Sequence, residues 1–458
     1  MASAEVDVKS DKIVIKNQES LASLLRYQEL NSQEISKTGE QIISREGKVC
    51  YLHRPMHIAP QSTFRFEGKD CRELRLYSGT YIRITGTAYF MDIKITSADR
   101  LTKEPIQITR ETYAQKRPHI YTDAPADYVH IENSEFSYLG SYSAVEGSTW
   151  GVSFWHLKSG FIDNSKFHHN YFGLYTWETK NVVIQDSVSH DNLEYGMDFH
   201  DYSDNFIVQN NIVYNNGNHG IIFSKYCVGN KILNNYVYNH TLPVFVKGVS
   251  HDYGVHGIML HKESNHNLVS GNVLKNNDRA IFVYQSQDNI IENNIILGDR
   301  RDGIYMDSSS NNIINNNIAF GTGSYGLYSY NSYDNQYDGN YFEKGSYFKD
   351  ELGDQKISFS SPKRYVPKQS VVLEELKKKQ EKISEKNKNI IPVIPTKSTE
   401  LVKGDNSNMD DSDKPFLQRL KIPSFGDFVD YKRNHILAIA SIAMMIFGVE
   451  IVYKRFQK

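Results

Sequence analysis

The chain has 458 residues, 39% of them apolar, which is enough to bury a large core and to carry more than one kind of segment. Its 52 basic and 54 acidic residues nearly balance, which argues against general nucleic-acid binding. Three cysteines (Cys50, Cys71 and Cys227) are too few for a disulfide framework, and Cys50 and Cys71 read equally well as a pair or as buried thiols.

Residues 1–45 are polar and mixed, with a short helical pattern at Leu21–Leu30, and are expected to form an N-terminal cap. No apolar signal-peptide core follows Met1, so either the chain stays inside the cell or the numbered start lacks a leader. From Lys48 onward, short alternating runs at 49–53, 63–66, 74–76, 81–84 and 89–95 predict strands punctuated by Gly and Asp.

The centre of the chain repeats. Tyr195-Gly-Met-Asp-Phe-His-Asp201 has copies whose small residue falls at 151, 173, 220, 257, 280, 303 and 326, in steps of 22 to 24 with one of 37. A fixed period of this size marks a solenoid. The residue after the small one is apolar in every copy (Val152, Leu174, Met197, Ile221, Ile258, Ile281, Ile304, Leu327), and two positions on stand Phe154, Phe199, Phe223, Leu260, Val283 and Met306. Residues two apart share a strand face, so these point inward. Two columns then point outward: Ser153, Tyr175, Asp198, Ile222, Met259, Phe282, Tyr305, Tyr328, and beside them Trp155, Trp177, His200, Ser224, His261, Tyr284, Asp307, Tyr330.

A second column carries Ser134, Ser165, Ser187, Asn211, Asn235, Asn272, Asn294, Asn317 and Asn340 at one corner, the pattern of stacked side chains at a left-handed bend. Residues 46–345 are therefore predicted to form an all-β, right-handed parallel β-helix, the usual hand for parallel crossovers. At roughly 4.8 Å per coil, eight copies give a face of about 35 Å, suited to an extended polymer. The long step is an insertion at 242–253, which enters the strand row at His256.

The repeats stop near Tyr347. Residues 346–434 read as a charged helical and flexible linker. Residues 435–453, uncharged from Ile436 to Val449 and then interrupted only by Glu450, read as a helix at the short end of a membrane span, and 454–458 form a basic tail. The expectation is a single C-terminal transmembrane helix, with the catalytic domain on the extracytoplasmic side.

On the outward face, Tyr195, Asp198, His200 and Asp201 converge, and Lys225 follows Ser224, the residue stacked on His200. A base, a phenol and a cation around one sugar ring suit proton abstraction from the carbon next to a carboxylate, the cation offsetting charge in an enolate-like transition state. The aromatic and polar residues Tyr175, Trp155, Trp177, His219, His261, Lys262, Tyr284, Asp307 and Asp201 are the expected substrate contacts. No His/Cys/Asp cluster has metal spacing and no calcium nonapeptide repeat occurs, so no cofactor is expected, and a bound Ca2+ is an alternative that no motif supports.

Tyr195-Gly-Met-Asp-Phe-His-Asp201 resembles the Tyr-Gly-x-Asp-Pro-His-Asp/Glu motif of the mannuronan C5-epimerases, in particular the periplasmic alginate type. The similarity extends to Gly47-Lys-Val-Cys-Tyr-Leu52, Glu73-Leu-Arg-Leu76, Phe172-Gly-Leu-Tyr175 and His219-Gly-Ile-Ile-Phe-Ser224, and covers roughly residues 45–345. The resemblance implies polymer-level epimerisation of uronates, with His200 as base, Tyr195 as partner acid or base and Asp198 as support. Lys225 falls where the periplasmic type has a carboxylate-binding arginine. Phe199 replaces the motif's proline, and Lys225 lacks the arginine fork. The runner-up is a polyuronate lyase, which shares the first proton abstraction; the rival from another class is a non-catalytic carbohydrate-binding solenoid. A glycoside hydrolase fits less well, because Asp198 and Asp201 are not two isolated opposed carboxylates.

Overall fold

Alternation of apolar and polar residues with period two makes each short run a strand, and the 22–24-residue period returns the chain to the same edge. In the computed structural model, which describes residues 6–8, 12–32, 41–109, 111–123, 125–143, 149–241, 254–350 and 353–357, the strands stack as a parallel β-helix of three sheets. The first sheet runs from Val6–Val8 and Ile13–Ile15 through Met56–Ile58, Tyr81–Ile84, His119–Thr122, Val152–Trp155, Leu174–Trp177, Met197–His200, Ile221–Ser224, His256–His261, Arg279–Tyr284, Ile304–Asp307 and Leu327–Tyr330 to Ser346–Asp350 and Gly353–Ile357. Antiparallel strands stand at both ends of the coil: Ile43–Glu46 against Val49–Leu52, and Ser346–Asp350 against Gly353–Ile357.

The register follows the sequence columns. Ser153, Tyr175, Asp198, Ile222, Met259, Phe282, Tyr305 and Tyr328 pair in succession, and so do Trp177, His200, Ser224, His261, Tyr284, Asp307 and Tyr330. The inward residues Met197, Phe199, Ile221, Phe223, Ile258 and Leu260 are fully buried in one continuous core. The third sheet, inferred from neither sequence column, supplies Phe136, Phe167, Val213, Val237, Leu274, Ile296 and Ala319 to that core.

At the corner between second and third sheets, amide ladders run along the axis. Each Nδ2 donates to the next Oδ1, Asn211 to Asn235 (3.0 Å), Asn235 to Asn272 (3.0 Å), Asn272 to Asn294 (3.0 Å), Asn294 to Asn317 (2.9 Å) and Asn317 to Asn340 (3.1 Å). Buried amides satisfied in this way cost little, whereas unpaired ones would be expensive. The residues just before them (Asn210, Asn234, Asn293 and Asn316) take left-handed φ of 54–57°, which asparagine tolerates.

The helix Leu21–Leu30 starts at a capping box of Ser20 and Ser23 and buries Leu21 and Leu24 in the core, next to the first coil. Cys50 and Cys71 are joined as a disulfide, and Cys227 is a buried free thiol. Among the described residues no helix is long and apolar enough to cross a membrane, and the expected span at 435–453 lies outside them, as does the linker at 358–434.

The segments 99–118, 138–151 and 239–255 all connect a third-sheet strand to a first-sheet strand. From the described parts of the first two, Ile108, Tyr113, Tyr142 and Trp150 pack against Tyr171, Phe172 and Tyr175 and form a wall beside the first sheet. Arg117, almost wholly buried, joins these two segments: its guanidinium donates to the carbonyls of Ile106 (3.0 Å), Leu139 (2.8 Å) and Gly140 (2.6 Å).

Candidate active site

Because of this wall, the first outward column is not a bare surface. Ser153, Tyr175, Asp198, Ile222, Met259 and Phe282 are all buried, covered by side chains from the bends. What remains open is a cavity of about 430 Å³ lined by Tyr142, Trp150, Tyr171, Phe172, Glu194, Tyr195, Asp198, Asn218, His219, Ile222 and Met259, with His200, Ser224, Lys225, Gly254 and His261.

The strand Met197–His200 places Asp198 and His200 on one face, and the corner after it brings Asp201 beside the imidazole. His200 Nδ1 lies 2.7 Å from Asp201 Oδ1, and Lys225 Nζ lies 3.7 Å from the same oxygen. With Nδ1 turned to a carboxylate, Nε2 is the nitrogen that faces away from it and is left to exchange a proton. Lys225 is fixed from below: it and Tyr226 take left-handed φ of 63° and 59°, held by hydrogen bonds from Lys225 N to His261 O (2.7 Å) and Tyr226 N to Lys262 O (3.0 Å).

Burial and charge set the protons. Burial pushes the Asp198 carboxyl up to about 6, with His200 and Lys225 opposing and Asp201 adding to the shift. Asp198 Oδ1 has no hydrogen-bond partner. Burial also tends to raise Asp201, but its close contact with His200 and the charges of His200 and Lys225 hold it below the usual carboxylate range. The Tyr195 phenol is pushed well up by burial and by the carboxyls of Asp198 and Glu194, so it keeps its proton. His261 is driven down to about 4 by burial and by nearby Lys262 and Lys225, so it is neutral at pH 7 and shares a hydrogen bond with Ser224 Oγ (3.1 Å).

Two family descriptions match the chain, a right handed beta helix region over residues 120–256 and a periplasmic copper-binding protein, NosD, over 239–348. Among the described residues no group of three or more His, Cys, Asp or Glu could hold a metal ion. The mannuronan C5-epimerase of Pseudomonas putida is 27% identical over 284 residues, 58% of this chain and 51% of that protein. The chain is thus similar in sequence to a mannuronan C5-epimerase over more than half of its length. The Pseudomonas aeruginosa mannuronan C5-epimerase matches at 29% over 172 residues, covering 34% of this chain and 30% of that one. The crystal structure of the periplasmic alginate epimerase AlgG superposes with a TM-score of 0.61 at 23% identity, over 69% of this chain and 72% of that chain, so the fold is shared. The chain spans about half the length (51%) of the P. putida epimerase.

Of the residues expected from sequence, Tyr195, Asp198, His200, His219, Lys225 and His261 line the cavity, and Asp201 bridges His200 and Lys225 behind it. Tyr175 is instead buried in an aromatic cluster with Tyr171 and Phe172, its ring 6.0 Å from that of His200. Trp155 and Trp177 meet edge to face at 4.6 Å on the coils before His200, outside the cavity. Beyond it in the other direction, Tyr284 stacks on His261 (5.5 Å) and Asp307 accepts a hydrogen bond from Tyr305 (3.2 Å). Lys262 sits at the left-handed corner after His261. Phe199, where the epimerase motif has proline, is fully buried against Phe223 and Phe206.

Sequence reading missed the wall: Tyr142, Trp150, Tyr171, Phe172, Glu194 and Asn218. Its signal was present in the positions just before the repeat glycine, where Tyr171, Glu194 and Asn218 stand at one place in successive coils. Glu194 N donates to Tyr171 O (2.9 Å) and Asn218 N to Glu194 O (3.0 Å), so these bends stack as regularly as the strands.

Proposed function

We propose that this chain inverts C5 of uronate residues within a polymer, converting mannuronate to guluronate. The observation that carries the reading is the His200–Asp201–Lys225 chain, at 2.7 and 3.7 Å, opening on the same cavity as Asp198 and Tyr195. His200 Nε2 takes the C5 proton, and the C–H electron pair passes into the carboxylate as an enediolate. The Lys225 ammonium offsets that charge. Asp198, on the strand face it shares with His200, supports the site. The Tyr195 hydroxyl then gives its proton to C5 from the opposite side, and proton exchange with water restores Tyr195 and His200. Trp155, Trp177, Tyr284, Asp307 and Lys262 line the coils where neighbouring sugars of the chain would lie.

The test is NMR of polymannuronate incubated with the full chain in deuterated water. Guluronate carrying deuterium at C5 is expected. An unsaturated uronate with no guluronate would replace this reading with β-elimination, and binding without any C5 exchange would leave a carbohydrate-binding solenoid.

The catalytic unit is residues 46–345 with the closing strands Ser346–Asp350 and Gly353–Ile357, capped by 1–45 and followed by a linker that reaches 434, a membrane anchor at 435–453 and a basic tail at 454–458. The Cys50–Cys71 bond supports an oxidising, extracytoplasmic setting for the β-helix. Two measurements check this placement: protease digestion of intact cells should remove the β-helix, and deletion of 435–458 should release it from membranes.

A further inference from the structure

Glu194 is absent from the chemistry above, yet it lines the same cavity. Its side chain is 1% exposed. Oε2 accepts a hydrogen bond from Asn218 Nδ2 (3.3 Å), while Oε1 has no partner. The titratable groups facing it are Asp198 and Tyr195 on its own coil and Tyr171 on the coil before; Tyr142 and His219 line the cavity with it. A carboxylate there would face a polyanionic ligand and Asp198 with one oxygen unsolvated, a costly arrangement.

Resting on the epimerase reading, we propose that Glu194 is a specificity-determining residue that, as the neutral acid, donates a hydrogen bond from Oε1 to a sugar oxygen of the bound uronate, coupling polymer binding to one proton. Asn218 orders the two oxygens, since its amide occupies Oε2 as acceptor and leaves Oε1 to carry the hydrogen. Burial drives this carboxyl up to about 8, against the Asn218 hydrogen bond and with the help of Asp198, which sets the pH range in which the coupling is read.

The experiment is calorimetry of oligomannuronate binding to the full chain at pH 8, in two buffers of different ionisation enthalpy. Wild type is expected to take up about half a proton per ligand and to lose affinity about tenfold per pH unit above that range. Glu194→Gln should bind within threefold of wild type at pH 7, take up no proton and keep its affinity as pH rises. Glu194→Ala should bind about tenfold more weakly at pH 7 than Glu194→Gln, again without uptake. Uptake that persists in Glu194→Gln, or binding by wild type without uptake, overturns the proposal and leaves the epimerase reading standing. A wild-type chain that binds no uronate oligomer fails both, and guluronate formation in the deuterium experiment tells the two failures apart.

Discussion

With Nδ1 of His200 2.7 Å from Asp201 Oδ1, the ion-pair contact favours the imidazole form that carries its proton on Nδ1. Asp201→Asn keeps the volume but can present its amide N–H to Nδ1, which favours the opposite tautomer and leaves Nε2 without its lone pair. The expected result is a fall in kcat of about 100-fold or more with KM changed little, read by C5 exchange kinetics. Lys225→Gln should lose about 100-fold in kcat/KM, because an enediolate would form with no cation to offset it. Lys225→Arg should recover most of that loss, since charge at this corner matters more than the fork. If Lys225→Gln is as active as wild type, the ammonium is not at the reacting carboxylate. Sequence columns were enough to bring these groups together, because strand register alone decides which side chains share a face. They did not show that Asp201 serves both His200 and Lys225, a contact made by a corner and not by a strand.

At the scale of elements, the ladders explain why coils of differing sequence stay in register. On the turn from third to first sheet, Asn192 Nδ2 donates to Asn216 Oδ1 (2.8 Å), His240 shares a hydrogen bond with Asn277 (3.0 Å), and Asn277 N donates to Asp299 Oδ1 (2.6 Å). Asp299 is a carboxyl in a row of amides, fully buried, with Oδ2 unpartnered, and burial pushes it up to about 7. Its folded value is above its unfolded one, so its ionisation begins to destabilise the fold above about pH 4 and the penalty is complete above about pH 7. Asp299→Asn should therefore stabilise the protein by on the order of 2 kcal/mol at pH 8 and by almost nothing at pH 4, with C5 exchange unchanged. Denaturant midpoints at the two pH values check this, and a gain of equal size at both would mean that packing, not charge, is responsible. The corner asparagines were legible in the sequence because they recur unbroken from Asn211 to Asn340. Within the repeats the third sheet was not, because there its strands are short pieces such as Ile212–Tyr214 and Tyr236–Tyr238, too short to show alternation apart from the corner before them. The wall was hidden for another reason: Tyr171, Glu194 and Asn218 occupy one place in the coil but share no chemistry, so only their spacing marks them.

At the scale of the whole β-helix, each coil touches only its neighbours, so stability is close to a sum of coil and interface terms. The Cys50–Cys71 disulfide, with a sequence separation of 21, fastens the opening coils, where the core ends and fraying would begin. Closing a loop of that size contributes about 3 kcal/mol through the unfolded chain. The candidate site lies well downstream, on Met197–His200 and Ile221–Ser224, and its wall is fastened separately through Arg117. A Cys50→Ser, Cys71→Ser double variant should thus lose thermal stability while its C5 exchange at 25 °C stays within about twofold of wild type, because disorder at the first coils must cross several interfaces to reach His200. Limited proteolysis should cut it first within residues 1–98. If activity and the folded signal instead fall together from the lowest temperatures, the solenoid is one cooperative unit, and the opening coils hold the catalytic face in shape as well as closing the end of the core.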